Sequence, residues 1–133
     1  MPYNLSWLNE KRVVLETLSG VIDMDEATKA ANTTAEFIQQ GQAPVHLIVD
    51  VSGMEKFPTN VRSVRSISGY LNDPNLGWMV IVGANHLVNF ISTIVSQVVN
   101  FQLSRAETVE KAVAFLEKQD ATLTRAPAAV SQE

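Results

Sequence analysis

The chain has 133 residues, 46% of them hydrophobic and 18% charged, a composition that suits one globular domain and excludes disordered and fibrous classes. Its net charge of −4 leaves no overall positive field for a phosphate backbone or an anionic lipid surface, which argues against nucleic acid as a partner. Cysteine is absent, so disulfides, thiolate nucleophiles and cysteine-held metals are removed together.

The opening Met1-Pro2-Tyr3-Asn4-Leu5-Ser6 lacks the basic and apolar regions of a signal peptide, and the expected location is cytoplasmic. Asn4 to Leu8 and Val13 to Val21 are β-prone runs around the polar Asn9-Glu10-Lys11, the pattern of an antiparallel hairpin. Asp23 and Glu26 then form a capping box ahead of Ala27, Ala31, Thr34 and Ile38, which recur at helical spacing until Gly41. The run Val45 to Val51 is almost continuously apolar and β-branched, as in a strand buried on both faces. Pro58 and Thr59 open a second helix carrying Val61, Val64, Ile67 and Leu71.

Trp78 to Val82 reads as another buried strand, turning at Gly83-Ala84-Asn85 into a third helix from His86 to about Val99. The stretch Met79 to Val99 is interrupted by Gly83, Asn85, His86, Asn89 and Gln97, so it is not a membrane span. A short strand is expected at Phe101 to Leu103, and the S-x-x-E pair Ser104 and Glu107 is expected to cap a last helix through Leu116. From Ala121 onward no apolar periodicity remains. The expected organisation is one α/β domain over residues 1–120, with a mainly parallel or mixed sheet of five strands, an N-terminal hairpin and four helices, and a flexible tail over 121–133.

Chemistry-bearing motifs are sparse. His46 and His86 are the two histidines, one in a strand and one at a helix start, and neither belongs to a set of three or four ligands with local spacing, so no metal is expected. Nucleophile-elbow, P-loop and dinucleotide fingerprints are missing, and Asp23, Asp25 and Glu26 are explained by the helix dipole they face. No catalytic residue and no cofactor is expected. Leu47 to Met54, with Asp50 at its centre, resembles the acceptor strand of two-component receiver domains. A receiver, however, has two strand–helix units before the acceptor and a lysine after its last strand, where this chain has one helix and Arg105.

The hairpin, the Asp50-Val51-Ser52-Gly53 segment, the Val80 to Asn85 strand end and the final strand–helix pair together resemble a STAS (SpoIIAA-like) domain over Asn4 to about Lys118. The resemblance implies a non-enzymatic regulatory domain that docks on a partner protein through the segment after the central strand, here Ser52 to Arg65, sometimes under phosphorylation. The family's Asp-Ser-Ser/Thr-Gly pattern is replaced by Phe57-Pro58-Thr59-Asn60-Val61, which lacks the aspartate and the glycine. The implied partner-binding or phosphoacceptor residues are Ser52, Thr59, Asn60, Arg62 and Ser63, with a plain N-cap as the simpler role for Thr59.

From Pro74 through Ser104 no Asp, Glu, Lys or Arg occurs, a depletion typical of interface cores. Trp78, Val88, Phe90, Ile91, Ile94 and Val95 are therefore candidates for a homodimer contact or an apolar pocket. The alternative functions are a carrier or sensor of a small hydrophobic, lipid-like ligand and a structural homodimer.

Overall fold

The computed structural model describes residues 3–57, 62, 65–66, 69–84, 86–98 and 102–123. Strands β1 (Tyr3–Asn9) and β2 (Val13–Val21) pair antiparallel, and Lys11 takes a φ of 65° in the turn between them. The register slips between Trp7 and Asn9, so Leu8 stands outside the ladder as a bulge residue. Helix α1 (Met24–Gln40) begins with the expected reciprocal cap. The Glu26 N–H donates to Asp23 Oδ1 at 2.8 Å, and the Asp23 N–H donates to Glu26 Oε1 at 3.1 Å.

Strands β3 (Val45–Lys56), β4 (Leu76–Val82) and β5 (Leu103–Ala106) follow, with α2 (His86–Val98) between the last two and α3 (Val109–Gln119) at the end. The sheet order is β1-β2-β3-β4-β5, antiparallel at the hairpin and parallel from β2 onward. Three α-helices are traced end to end among the described residues, against four expected. Of the helix expected after Pro58, Arg62, Arg65 and Ser66 are helical, Gly69–Asn72 forms a 3-10 turn, and Thr59, Asn60 and Ser63 lie outside the described residues.

Strand alternation divides the core into two layers. Under α1 and α2 lie Val14, Leu18, Leu47, Val49, Val51, Met79 and Ile81. Under α3 lie Val13, Ile48, Val80 and Val82, joined by Leu123 from the segment read as tail, which is 3% exposed. The β3 run from Val45 to Val49 is buried throughout, as its unbroken apolar sequence requires.

Several boundaries differ from expectation: β4 starts at Leu76 instead of Trp78, and the strand expected at Phe101 to Leu103 is Leu103–Ala106. Ser52 and Gly53 look like a turn, yet β3 runs on to Lys56 because β2 continues beside it, pairing Ser19 with Gly53 and Val21 with Lys56. The last β3–β4 pair is Asp50 with Val82, so the β2–β3 end projects past β4 as a two-stranded ribbon. A further difference is at Ser104, which sits inside β5 opposite Val80, so the cap of α3 falls to Thr108. The Thr108 hydroxyl accepts from the Lys111 N–H at 3.1 Å.

Candidate functional site

The projecting ribbon carries the described part of the expected docking segment. Ser52, Gly53, Glu55 and Lys56 are exposed, whereas Met54 turns inward to the core and Phe57 packs partly against it. Val21, opposite Lys56, is 58% exposed, which puts a bare aliphatic side chain on the same ribbon. Arg62 and Arg65 beyond it are exposed as well. Asp50 is folded back on the main chain, its Oδ1 accepting the Ser52 N–H at 3.0 Å. That bond fixes where the ribbon departs from the sheet.

The apolar candidates do not converge. Val88, Ile91 and Val95 are 5%, 8% and 4% exposed and sit in the layer under α2. Trp78 lies on the opposite face of the sheet, edge-on to Phe115 with centroids 4.9 Å apart, so these residues share no cavity. Phe90 and Ile94 belong to α2, but their side chains are outside the described set. The exposed residues of α2 include Asn89, Thr93 and Ser96, all uncharged. Thr93 and Ser96 donate their hydroxyls back to the helix carbonyls of Asn89 and Thr93, and Arg105 reaches across from β5 to donate to Asn89 Oδ1.

Two buried polar groups have partners that the sequence did not signal. In the first, His46 is 2% exposed on β3, and its Nδ1 accepts the Trp78 N–H at 2.9 Å. That main-chain donor sets the tautomer, so the Nε2 proton is donated to Asp120 Oδ2 at 2.9 Å. Arg12 Nη2 donates to the same oxygen at 2.8 Å. Gly77 leaves the ring its room, since a Cβ there would stand 2.6 Å from His46 Cε1 and Nδ1.

A histidine–carboxylate pair invites comparison with a catalytic dyad, but both imidazole nitrogens are engaged and the ring is buried. The arrangement clamps the end of α3 to the sheet. Burial pushes the His46 pKa below its usual value, against the pull of Asp120. Burial would raise Asp120, but hydrogen bonds from Thr122 and His46 and the charge of Arg12 outweigh it and hold the carboxyl at about 2.

The second group is Glu16, 5% exposed in the middle of β2 beneath α1. Burial lifts its carboxyl to about 7, opposed by a hydrogen bond with Thr34, which is itself fully buried. Among the described residues no group of three His, Asp or Glu side chains could hold a metal ion, and no helix is long and apolar enough to cross a membrane.

The fold of this mixed sheet and its helices is shared with solved proteins. The anti-sigma factor antagonist SpoIIAA in its unphosphorylated form superposes with a TM-score of 0.64 at 14% identity, covering 87% of this chain and 96% of that one. The Bacillus cell fate determinant SpoIIAA in its phosphorylated form gives 0.60 at 14% identity, over 86% and 98% of the two chains. An uncharacterized DUF3478-family protein with a SpoIIAA-like fold, from Shewanella loihica PV-4, gives 0.63 at 7% identity over 86% and 91%. No family model matches the sequence, and no curated protein does. The chain has the SpoIIAA-like (STAS) fold.

Proposed function

We propose that this protein is a non-enzymatic, regulatory protein-binding domain whose partner seats on the end of the β2–β3 ribbon and the segment after it, Ser52 to Arg65. The observation that carries the reading is the ribbon itself. It extends past β4 with Ser52, Glu55 and Lys56 exposed beside a bare Val21, an apolar spot among charges of both signs. The likeness to an anti-sigma factor antagonist over nearly all of that chain supports the same reading. Ser52, Thr59 and Ser63 are the proposed phosphoacceptors, and Asn60 and Arg62 belong to the same proposed partner-binding segment. Phosphorylation of any of these acceptors would add about two negative charges to a segment that already carries the exposed Arg62 and Arg65.

The test compares partners retained from the source cell by the native chain and by a Ser52→Arg, Glu55→Arg variant. Both positions are exposed, so the variant should keep its circular dichroism and melting temperature. A partner retained by the native chain alone supports the reading. Identical sets of retained proteins overturn it.

A further inference from the structure

A second surface lies at the other end of the sheet, between the β1–β2 hairpin and α3. It is a groove of about 360 Å³ with Leu8, Val13, Leu116 and Leu123 along its apolar walls. The bulge at Leu8 shapes its rim: a residue outside the ladder is re-aimed, and Leu8 is 44% exposed. The groove is also braced, because Asn9 Nδ2 donates to the Leu123 carbonyl at 3.5 Å and ties the hairpin to the residues after α3. A preformed cleft of this kind suits anchor side chains, and its volume is near the lower end of ligand pockets, which span about 300–1,000 Å³.

The charges around it select the occupant. Glu10 lines the groove from the hairpin and Glu117 from the helix. Both are exposed, and neither forms an ion pair among the described residues. Carboxylates on both walls repel an anionic headgroup or fatty-acid carboxylate. Two-fold pairing with a second copy would also bring the same carboxylates together. What fits both features is an apolar anchor flanked by cations.

We propose that the groove between the β1–β2 hairpin and α3 is a docking site for a partner-protein segment that presents a large aliphatic or aromatic side chain flanked by Lys or Arg. The anchor displaces water from Leu8, Val13, Leu116 and Leu123, and the flanking cations meet Glu10 and Glu117. The site is independent of the ribbon end and leaves that surface free.

The test selects displayed random peptides of about twelve residues on the full chain and measures the enriched sequences by calorimetry. Enriched peptides should combine Leu, Ile, Phe or Trp with Lys or Arg. Their affinity should fall about tenfold or more in Leu8→Ser and in the double variant Glu10→Lys, Glu117→Lys, with further weakening in salt. All three positions are exposed, so the variants should melt with the native chain. The proposal is overturned by a selection that enriches nothing, by peptides without a basic residue, or by affinities that ignore these substitutions. Peptides released only by Ser52→Arg, Glu55→Arg would overturn it too, while supporting the ribbon as the docking surface.

Discussion

Asp120 serves three side chains at once. Its Oδ2 accepts from Arg12 and His46, its Oδ1 accepts from Thr122, and its side chain is 13% exposed. Removing it takes the counter-ion from a guanidinium whose side chain is 12% exposed, leaving its Nε on the Pro44 carbonyl at 3.2 Å, and takes the acceptor from a buried imidazole N–H. Cutting one partner from such a cluster costs far more than the net worth of the pair, because the remaining groups lose their compensation for burial. Asp120→Ala should therefore lower unfolding stability by about 2–4 kcal/mol in urea denaturation. Glu107→Ala, which breaks an exposed i,i+4 pair with Lys111, should leave the midpoint close to native. A urea midpoint unchanged by Asp120→Ala would show that the cluster is an ornament of the fold and not a clamp. Neither His46 nor Asp120 advertises this arrangement in the sequence, since they are 74 positions apart and meet only when the last helix crosses β3.

Local signals placed the elements well wherever neighbouring residues decide the outcome. The Asp23 box caps α1 as expected, and the apolar β-branched runs become β2, β3 and β4. Where a longer-range partner decides, they misplaced boundaries. The turn-like Ser52-Gly53 stays in β3 because β2 satisfies its backbone, and Ser104 is drawn into β5 by pairing with Val80. The S-x-x-E pattern is thus a decoy, and the cap lies at Thr108. Thr108→Ala should cost about 1 kcal/mol of stability by removing the acceptor for the Lys111 N–H, whereas Ser104→Ala should not weaken α3. Thermal melts of the two variants check this, and a larger loss at Ser104 would return the cap to the expected place. The resemblance pointed to Ser52 to Arg65, of which Ser52, Gly53, Glu55, Lys56, Arg62 and Arg65 are exposed among the described residues. The hairpin groove was not legible in the sequence, because it depends on Leu8 bulging out of the ladder and on Leu123 folding back beneath α3.

The whole molecule carries opposing responses to pH. Glu16 has a folded pKa of about 7 against an ordinary value of 4.5, so its protonated form is favoured by the fold. Its contribution is fully present below about pH 4.5 and is lost as pH rises toward 7. His46 and Asp120 act with the other sign. Their folded pKa values are depressed, so their contributions are present above 6.5 and 3.8 respectively and are lost as pH falls. Glu16→Gln keeps the shape and removes the charge. It should raise stability by about 1–3 kcal/mol above pH 7 and leave it nearly unchanged near pH 4. Denaturation of both proteins across that range measures the difference, and a gain independent of pH would mean that Glu16 does not titrate with folding.

The sheet is laid down in chain order, each strand beside the one before it. Its two layers therefore close at different moments of synthesis. The layer under α1 and α2 has its residues once β4 and α2 have emerged. The layer under α3 stays open until Leu123 arrives, and Arg12 waits for a partner 108 positions downstream. A nascent chain thus shows one finished face and one greasy one until α3 and Leu123 leave the ribosome, and the Arg12–Asp120 contact works as a latch that fastens only once α3 has been made.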